Sequence, residues 1–279
     1  MYCDLHTHSI YSDGTLSPGE IIAAAGELGL TVALTDHNTV AGLEEFMAEA
    51  RRLGVQAVAG TELSTEHEGA ELHVLGLFLP RAHWADIEDM TREFHRRKEQ
   101  SNRDMVHRLN AAGYTVDYDR VAARNPGGNA NRAHIAAELM ERGYVASIKE
   151  AFDTLLYRGG RFYVPFLRPS TEETIRLLGQ LGAVPVLAHP LQELSGHQLR
   201  RALPGFIAAG LMGMEVMHSS YGPEKAALAA EIAGASGLLP SGGSDFHGDN
   251  KPDVALGRGK GDMAVPIRFY EQLRAVSRT

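Results

Sequence analysis

A chain of 279 residues, 44% hydrophobic and 22% charged, is long enough for one large α/β domain or for a domain carrying an insertion. A single cysteine excludes a disulfide framework and any multi-cysteine zinc or iron–sulfur site, and no apolar run reaches the roughly 18 residues that span a bilayer. The net charge of −8 argues against broad adsorption to nucleic acid but not against an anionic substrate met by local metal charge.

With no basic-then-apolar leader at the N-terminus, a cytoplasmic protein is expected, without membrane association or a stable protein partner. Met1 to His8 reads as the first strand. Its period of two sets Asp4, His6 and His8 on one face and Cys3, Leu5 and Thr7 on the other. Imidazole is the commonest protein metal ligand, and a carboxylate such as Asp4 can fix the tautomer of a ligating ring. A polar strand end is the competing reading of a lone His-x-His. Ser12-Asp13-Gly14 follows, and Ser17-Pro18 starts a helix over about 18–28 that Gly29 stops.

Thr31–Thr35 is a buried strand ending in Asp36-His37-Asn38. A helix of about 40–52 stops at Gly54, Val55–Ala59 is the third strand, and Glu62 follows it. Glu71–Leu79 is a strand whose alternation puts His73 on a face with Leu75 and Leu77, so a core histidine is a rival reading there. The rhythm then breaks. A long charged helix over 83–112, a loop at Asn125-Pro-Gly-Gly-Asn129 and short helices near 131–142 and 147–157 place a helical insertion at about 98–165, between barrel segments 1–97 and 166–279.

Beyond it, Ser170 caps a helix to Leu181. Ala183–Ala188 is a strand ending at His189-Pro190, and after a helix at 195–209 the strand Leu211–Met217 ends at His218. A helix at 223–236 leads to Leu238–Ser241 and then to Asp245-Phe-His247; a last helix covers 266–277. Seven strands, mostly in β–α units, predict a barrel-like fold of largely parallel strands with its active site at the strands' carboxyl ends. Those ends carry His6, His8, His37, Glu62, His189, His218, Asp245 and His247. Core packing would favour apolar residues at these points.

Imidazole nitrogen and carboxylate oxygen without thiolate suit Mn²⁺, Zn²⁺ or Fe²⁺. The ligands outnumber the needs of one ion, which predicts two or three, bridged by a carboxylate such as Glu62 or Asp245. Such a cluster can hold a hydroxide nucleophile and neutralise charge on a phosphoryl group.

These motifs resemble those of the polymerase-and-histidinol-phosphatase (PHP) phosphoesterases, in particular the TrpH-like group with its nucleoside 3′,5′-bisphosphate phosphatases and 5′-to-3′ RNA exonucleases. The carrying residues are Asp4-Leu-His-Thr-His8 with Ser12-Asp13-Gly14, Thr35-Asp36-His37, Gly60-Thr-Glu62, Glu71-Leu-His-Val-Leu-Gly76, Ala188-His-Pro190 and Gly243-Ser-Asp-Phe-His247. The resemblance implies a distorted (β/α)7 barrel with a trinuclear site. His6, His8, Glu62 and Asp245 would hold one ion and act through it; Glu62, His73 and His189 would hold a second; Asp13, His37 and His247 would hold a third. Some relatives have histidine where this chain has Asp13, which leaves the third ion's occupancy open. The related amidohydrolases often bridge metals with a carboxylated lysine, but Lys98, Lys149, Lys225, Lys251 and Lys260 fall in predicted helices or loops.

In similar bisphosphate phosphatases an Arg and a His at the place of Arg132 and His134 bind substrate phosphate, and a helix start with a guanidinium fork suits that role. His218 is assigned to substrate contact or proton donation; Arg158, Arg161 and Lys251 are weaker phosphate candidates. His67, His83, His95, His107 and His197 read as ordinary surface residues. The expected activity is hydrolysis of a phosphomonoester on a small nucleotide, a nucleoside 3′,5′-bisphosphate, with a short oligonucleotide end also admissible. Histidinol-phosphate phosphatase, 5′-to-3′ oligoribonucleotide exonuclease and, in another class, a non-catalytic metal-binding module remain open.

Overall fold

The computed structural model describes residues 1–124 and 130–278; the expected loop at 125–129 lies outside them. Local chemistry sets most helix ends. The Ser17 side chain takes the Glu20 N–H and Glu20 answers to the Ser17 backbone, so α1 (Pro18–Leu28) starts on a complete capping box, and left-handed Gly29 ends it. Gly54 ends α2 (Leu43–Leu53) in the same way.

Seven strands form one sheet in chain order: β1 (Tyr2–Asp4), β2 (Leu30–Leu34), β3 (Ala57–His67), β4 (Ala70–Leu77), β5 (Val184–Ala188), β6 (Gly213–His218) and β7 (Leu239–Gly243). Its edges meet. Leu5 N–H donates to the Gly242 carbonyl at 3.1 Å, Asp245 N–H to His6 at 2.9 Å and His8 N–H to Phe246 at 2.9 Å, which brings the sheet to a nearly closed barrel. This closure needs Gly243, because a Cβ there would lie 2.4 Å from the His6 Cβ.

The parallel rule has an exception. β4 runs antiparallel to both neighbours. Glu62 was expected just beyond a short third strand, but β3 runs on through it to His67 and turns at Glu68 and Gly69, both at positive φ (49° and 83°), the geometry of a two-residue type I′ hairpin. His73 does share its strand face with Leu75 and Leu77, yet the two leucines are fully buried while His73 lies further up, opposite Ser64. One face therefore serves the core low down and the site higher up.

The chain divides into two compact units, Met1–Glu88 with Arg168–Thr279, and Asp89–Leu167. The first is the barrel with α1, α2 and four later helices. The second is helical and lies between β4 and β5 in the chain. It contains most of α3 (Trp84–Ala111) with α4 (Tyr118–Ala123), α5 (Arg132–Glu141) and α6 (Ile148–Thr154), around a core that includes Leu109, Val121, Ile135, Leu139 and Leu156. Among the α-helices of the described residues, sequence periodicity missed the short α4. The barrel helices continue with α7 (Thr171–Gln180), α8 (Gly196–Ala209), α9 (Pro223–Ala235) and α10 (Ile267–Val276). Among the described residues no helix is long and apolar enough to cross a membrane.

A candidate metal centre at the strand ends

Glu62, fully buried, is the hub. Its Oε1 lies 2.8 Å from His73 Nδ1 and 3.1 Å from His189 Nε2. Its Oε2 lies 3.2 Å from His6 Nε2, 3.3 Å from His8 Nε2 and 2.8 Å from His37 Nδ1. Each carboxylate oxygen thus faces its own set of imidazoles, the arrangement a bridging ligand requires. Asp245 Oδ1 lies 3.3 Å from His8 Nε2, and Asp13 Oδ1 lies 3.1 Å from His247 Nε2 and 3.8 Å from His37 Nε2.

All nine residues expected to ligate metal come together in the barrel unit, joined by His218. Among the described residues, four groups of side chains have ligand atoms close enough to share an ion: His8, Asp13, His37 and His247; His6, His189 and His218; His6, His8 and Asp245; and His37, Glu62 and His73. They divide the residues differently from the resemblance, chiefly by adding His218.

The electrostatics demand positive charge here. Burial alone would raise Glu62 and Asp245, but the facing imidazoles hold both well below the usual carboxylate range. Burial alone would lower His8 and His73; the carboxylates outweigh it and push them up to about 9 and about 10. His189 goes the other way, down to about 4, because its burial prevails. Buried atoms without a hydrogen bond include His6 Nε2, His8 Nε2, Asp13 Oδ1, Glu62 Oε2 and His218 Nε2, five at one place. Either protons or cations must stand among the first four, and the donor set fits divalent ions.

Outer partners aim these rings. His6 Nδ1 lies 3.1 Å from Glu215 Oε1, and Glu215 also accepts the His189 backbone N–H at 2.8 Å. Asp4, expected to orient a ring, instead accepts the Ser244 N–H and hydroxyl and the Gly257 N–H, so it fixes the β7 loop. Its carboxylate is spent on these two backbone N–H groups and the Ser244 hydroxyl. Glu215 was missed, although an acid inside the apolar run Leu211–Met217 signals it. Asp36 accepts Ser9 N–H, Ser9 Oγ–H and Ser12 Oγ–H, and so holds the loop carrying His8 and Asp13. His247 Nδ1 donates to the Asp245 carbonyl at 2.8 Å, which leaves the Nε2 lone pair facing Asp13. His189 (φ 30°) and Asp245 (φ 56°) take left-handed backbone that side chains disfavour, at about 1–3 kcal/mol each.

The remaining residues sort clearly. Lys251 joins the site through Asp245 Oδ2 at 2.6 Å. His67 and His83 face Glu172 and Asp86 at 3.0 Å and 2.7 Å. Arg132, His134, Arg158 and Arg161 belong to the helical unit. There Asn131 caps α5 in a capping box with His134, and Arg132 reaches the Leu156 carbonyl at 3.2 Å and lies over Phe152 and Tyr163.

A PHP-domain sequence model matches residues 4–154. Among proteins of known activity, the chain is 34% identical to a 3′,5′-nucleoside bisphosphate phosphatase of Chromobacterium violaceum over 257 residues, 90% of each chain. It is 32% identical to a 5′-3′ exoribonuclease of Haemophilus influenzae over 246 residues, covering 88% of this chain and 89% of that one. Among solved structures it is similar to an amidohydrolase from Chromobacterium violaceum with bound sulfate and no metal, with a TM-score of 0.85, 29% identity and coverage of 99% and 96%.

Proposed function

Because the chain belongs to the PHP-domain family, we propose that it is a metal-dependent phosphoesterase that releases phosphate from a phosphomonoester of a small nucleotide, a nucleoside 3′,5′-bisphosphate. The observation that carries this reading is Glu62, with one oxygen toward His73 and His189 and the other toward His6, His8 and His37. His6, His8, Glu62 and Asp245 would hold one divalent ion, with His73 and His189 completing a second around Glu62 and Asp13, His37 and His247 serving a third. Two or three ions of Mn²⁺, Zn²⁺ or Fe²⁺ suit these donors.

When bound, the ions supply Lewis-acid charge for phosphoryl oxygens and lower the pKa of water. The chain's residues do the rest. Glu215 and Asp36 keep the rings and loops in place, while burial of the carboxylates keeps bulk water from screening the charges. The helical insertion, about 98–165, supplies substrate contacts: Arg132 offers a guanidinium fork. The Asn131 N–H donates to His134 Nδ1, so the neutral His134 ring carries its proton on Nε2.

A second reading, 5′-to-3′ hydrolysis of short RNA, has support from the exoribonuclease relative and from charge distribution. Residues 89–167 carry 13 Lys and Arg against 10 Asp and Glu, whereas the rest of the chain carries 14 against 25. The deciding experiment loads the protein with Mn²⁺ and measures phosphate release from adenosine 3′,5′-bisphosphate, beside histidinol phosphate and a short 5′-phosphorylated RNA. Fast release from the bisphosphate, lost in Asp245→Asn, is the expected result. Mononucleotide release from the RNA with an inert bisphosphate would establish the second reading. No turnover of any substrate by metal-loaded protein would leave a non-catalytic metal module.

A further inference from the structure

His218 closes β6 with its side chain almost fully buried, and its ring lies 5.0 Å from that of His189 and 6.1 Å from that of His6. By position it is one more ligand. Its hydrogen bonds contradict that. The backbone N–H of Ser220 points at His218 Nδ1 at 3.1 Å, and the Gln192 side-chain amide lies 3.3 Å from the same nitrogen. A backbone N–H can only donate, so Nδ1 must hold a lone pair and the neutral ring carries its proton on Nε2. His247 is the reverse case: it donates through Nδ1 and aims a lone pair inward.

The inward nitrogen of His218 is thus an N–H, and a metal ligand needs a lone pair. This buried donor makes no well-formed hydrogen bond; its nearest acceptor is Asp245 Oδ2 at 3.3 Å, and the ring helps hold that carboxyl below the usual range. Lys251 Nζ sits 2.6 Å from that same oxygen. Two donors of different type therefore flank the outer oxygen of Asp245, while its inner oxygen faces His8. A buried donor without a well-formed bond is destabilising unless a ligand supplies a better-placed acceptor.

We propose that His218 is not a metal ligand but a hydrogen-bond donor, through Nε2–H, to an oxygen of the bound phosphoryl group, with Lys251 as its charged neighbour in one anion subsite. The subsite would take a tetrahedral oxyanion: the phosphate of a phosphomonoester or inorganic phosphate as product. This inference rests on the phosphoesterase reading for its ligand class, while the ring's tautomer stands without it.

The test uses the full-length Mn²⁺-loaded protein with His218→Ala and His218→Gln, the glutamine amide reaching about as far as Nε2–H. Metal content by elemental analysis is expected to match wild type in both. Inorganic phosphate, followed by calorimetry, is expected to bind roughly tenfold more weakly to His218→Ala and within a few-fold of wild type to His218→Gln. Nitrogen-15 spectra of the wild-type histidines are expected to show His218 protonated at Nε2. Loss of an ion from His218→Ala, phosphate affinity equal to wild type in that variant, or a proton on Nδ1 would overturn the proposal. Failure to hydrolyse any nucleotide would count against the proposed function alone, because none of these readouts needs turnover.

Discussion

A ring's direction decides whether it can ligate, and here direction is set by atoms outside the cluster. Glu215 illustrates this. Burial would raise its carboxyl, but the His6 imidazole holds it below the ordinary value, so it is ionised and accepts a hydrogen bond from His6 Nδ1–H while accepting the His189 N–H. One side chain on β6 thereby aims residues that follow β1 and β5. Removing such an outer partner typically weakens metal affinity about 10–100-fold. Glu215→Ala is therefore expected to lose that much Mn²⁺ affinity in a chelator competition, with Glu215→Gln, which can still accept from Nδ1–H, falling between. Equal affinity in all three proteins would mean that packing alone orients His6. The side chains that gather around Glu62 were legible because histidines and acids stand where strands should be apolar. The link from Glu215 to His6 spans 209 positions and depends on barrel closure, which no local pattern encodes.

Elements were read well where capping residues mark their ends, as at Ser17, Gly29, Gly54, Ser170 and Gly210. They were read poorly where tertiary pairing overrides the pattern. β3 continues through Thr61, Glu62, Ser64 and Thr65 because β4 pairs with it along eight positions, and their polar groups gave no apolar signal. In the helical unit, α5 depends on a buried charge. Glu138 is fully covered, with Arg142 Nε at 2.6 Å, Arg124 at 3.0 Å and Arg120 Nε at 3.2 Å. Burial would raise its carboxyl, and these guanidinium groups hold it below the ordinary 4.5 instead. The pairing thus stabilises the fold fully above that value and fades as pH falls through the lower folded one. Glu138→Gln is expected to lower protection of α5 amides from hydrogen exchange by about 2 kcal/mol at pH 7, with the gap to wild type closing below about pH 4. A gap independent of pH would assign the loss to packing.

Across the whole molecule the barrel stacks an apolar floor and a charged mouth on the same strands, Leu75 and Leu77 below and His73 above. Such a mouth is stable only if its carboxylates are compensated, and either protons or metal ions can do it. The two compensators respond oppositely to pH. His8 and His73, pushed up to about 9 and about 10, stabilise the chelated protein fully below the unfolded value near 6.5, and that contribution is lost as pH rises through the folded values. Metal binding needs deprotonated imidazole, so it strengthens over the same range. An ion at 100 times its dissociation constant adds about 2.7 kcal/mol. The difference in Tm between Mn²⁺-loaded and chelator-treated protein is therefore expected to widen steadily from pH 6 to pH 9, chiefly because the chelated form loses stability. A difference that stays constant or narrows would show that protons do not occupy the places of the ions. The histidines and acids would then owe their mutual approach to the barrel alone.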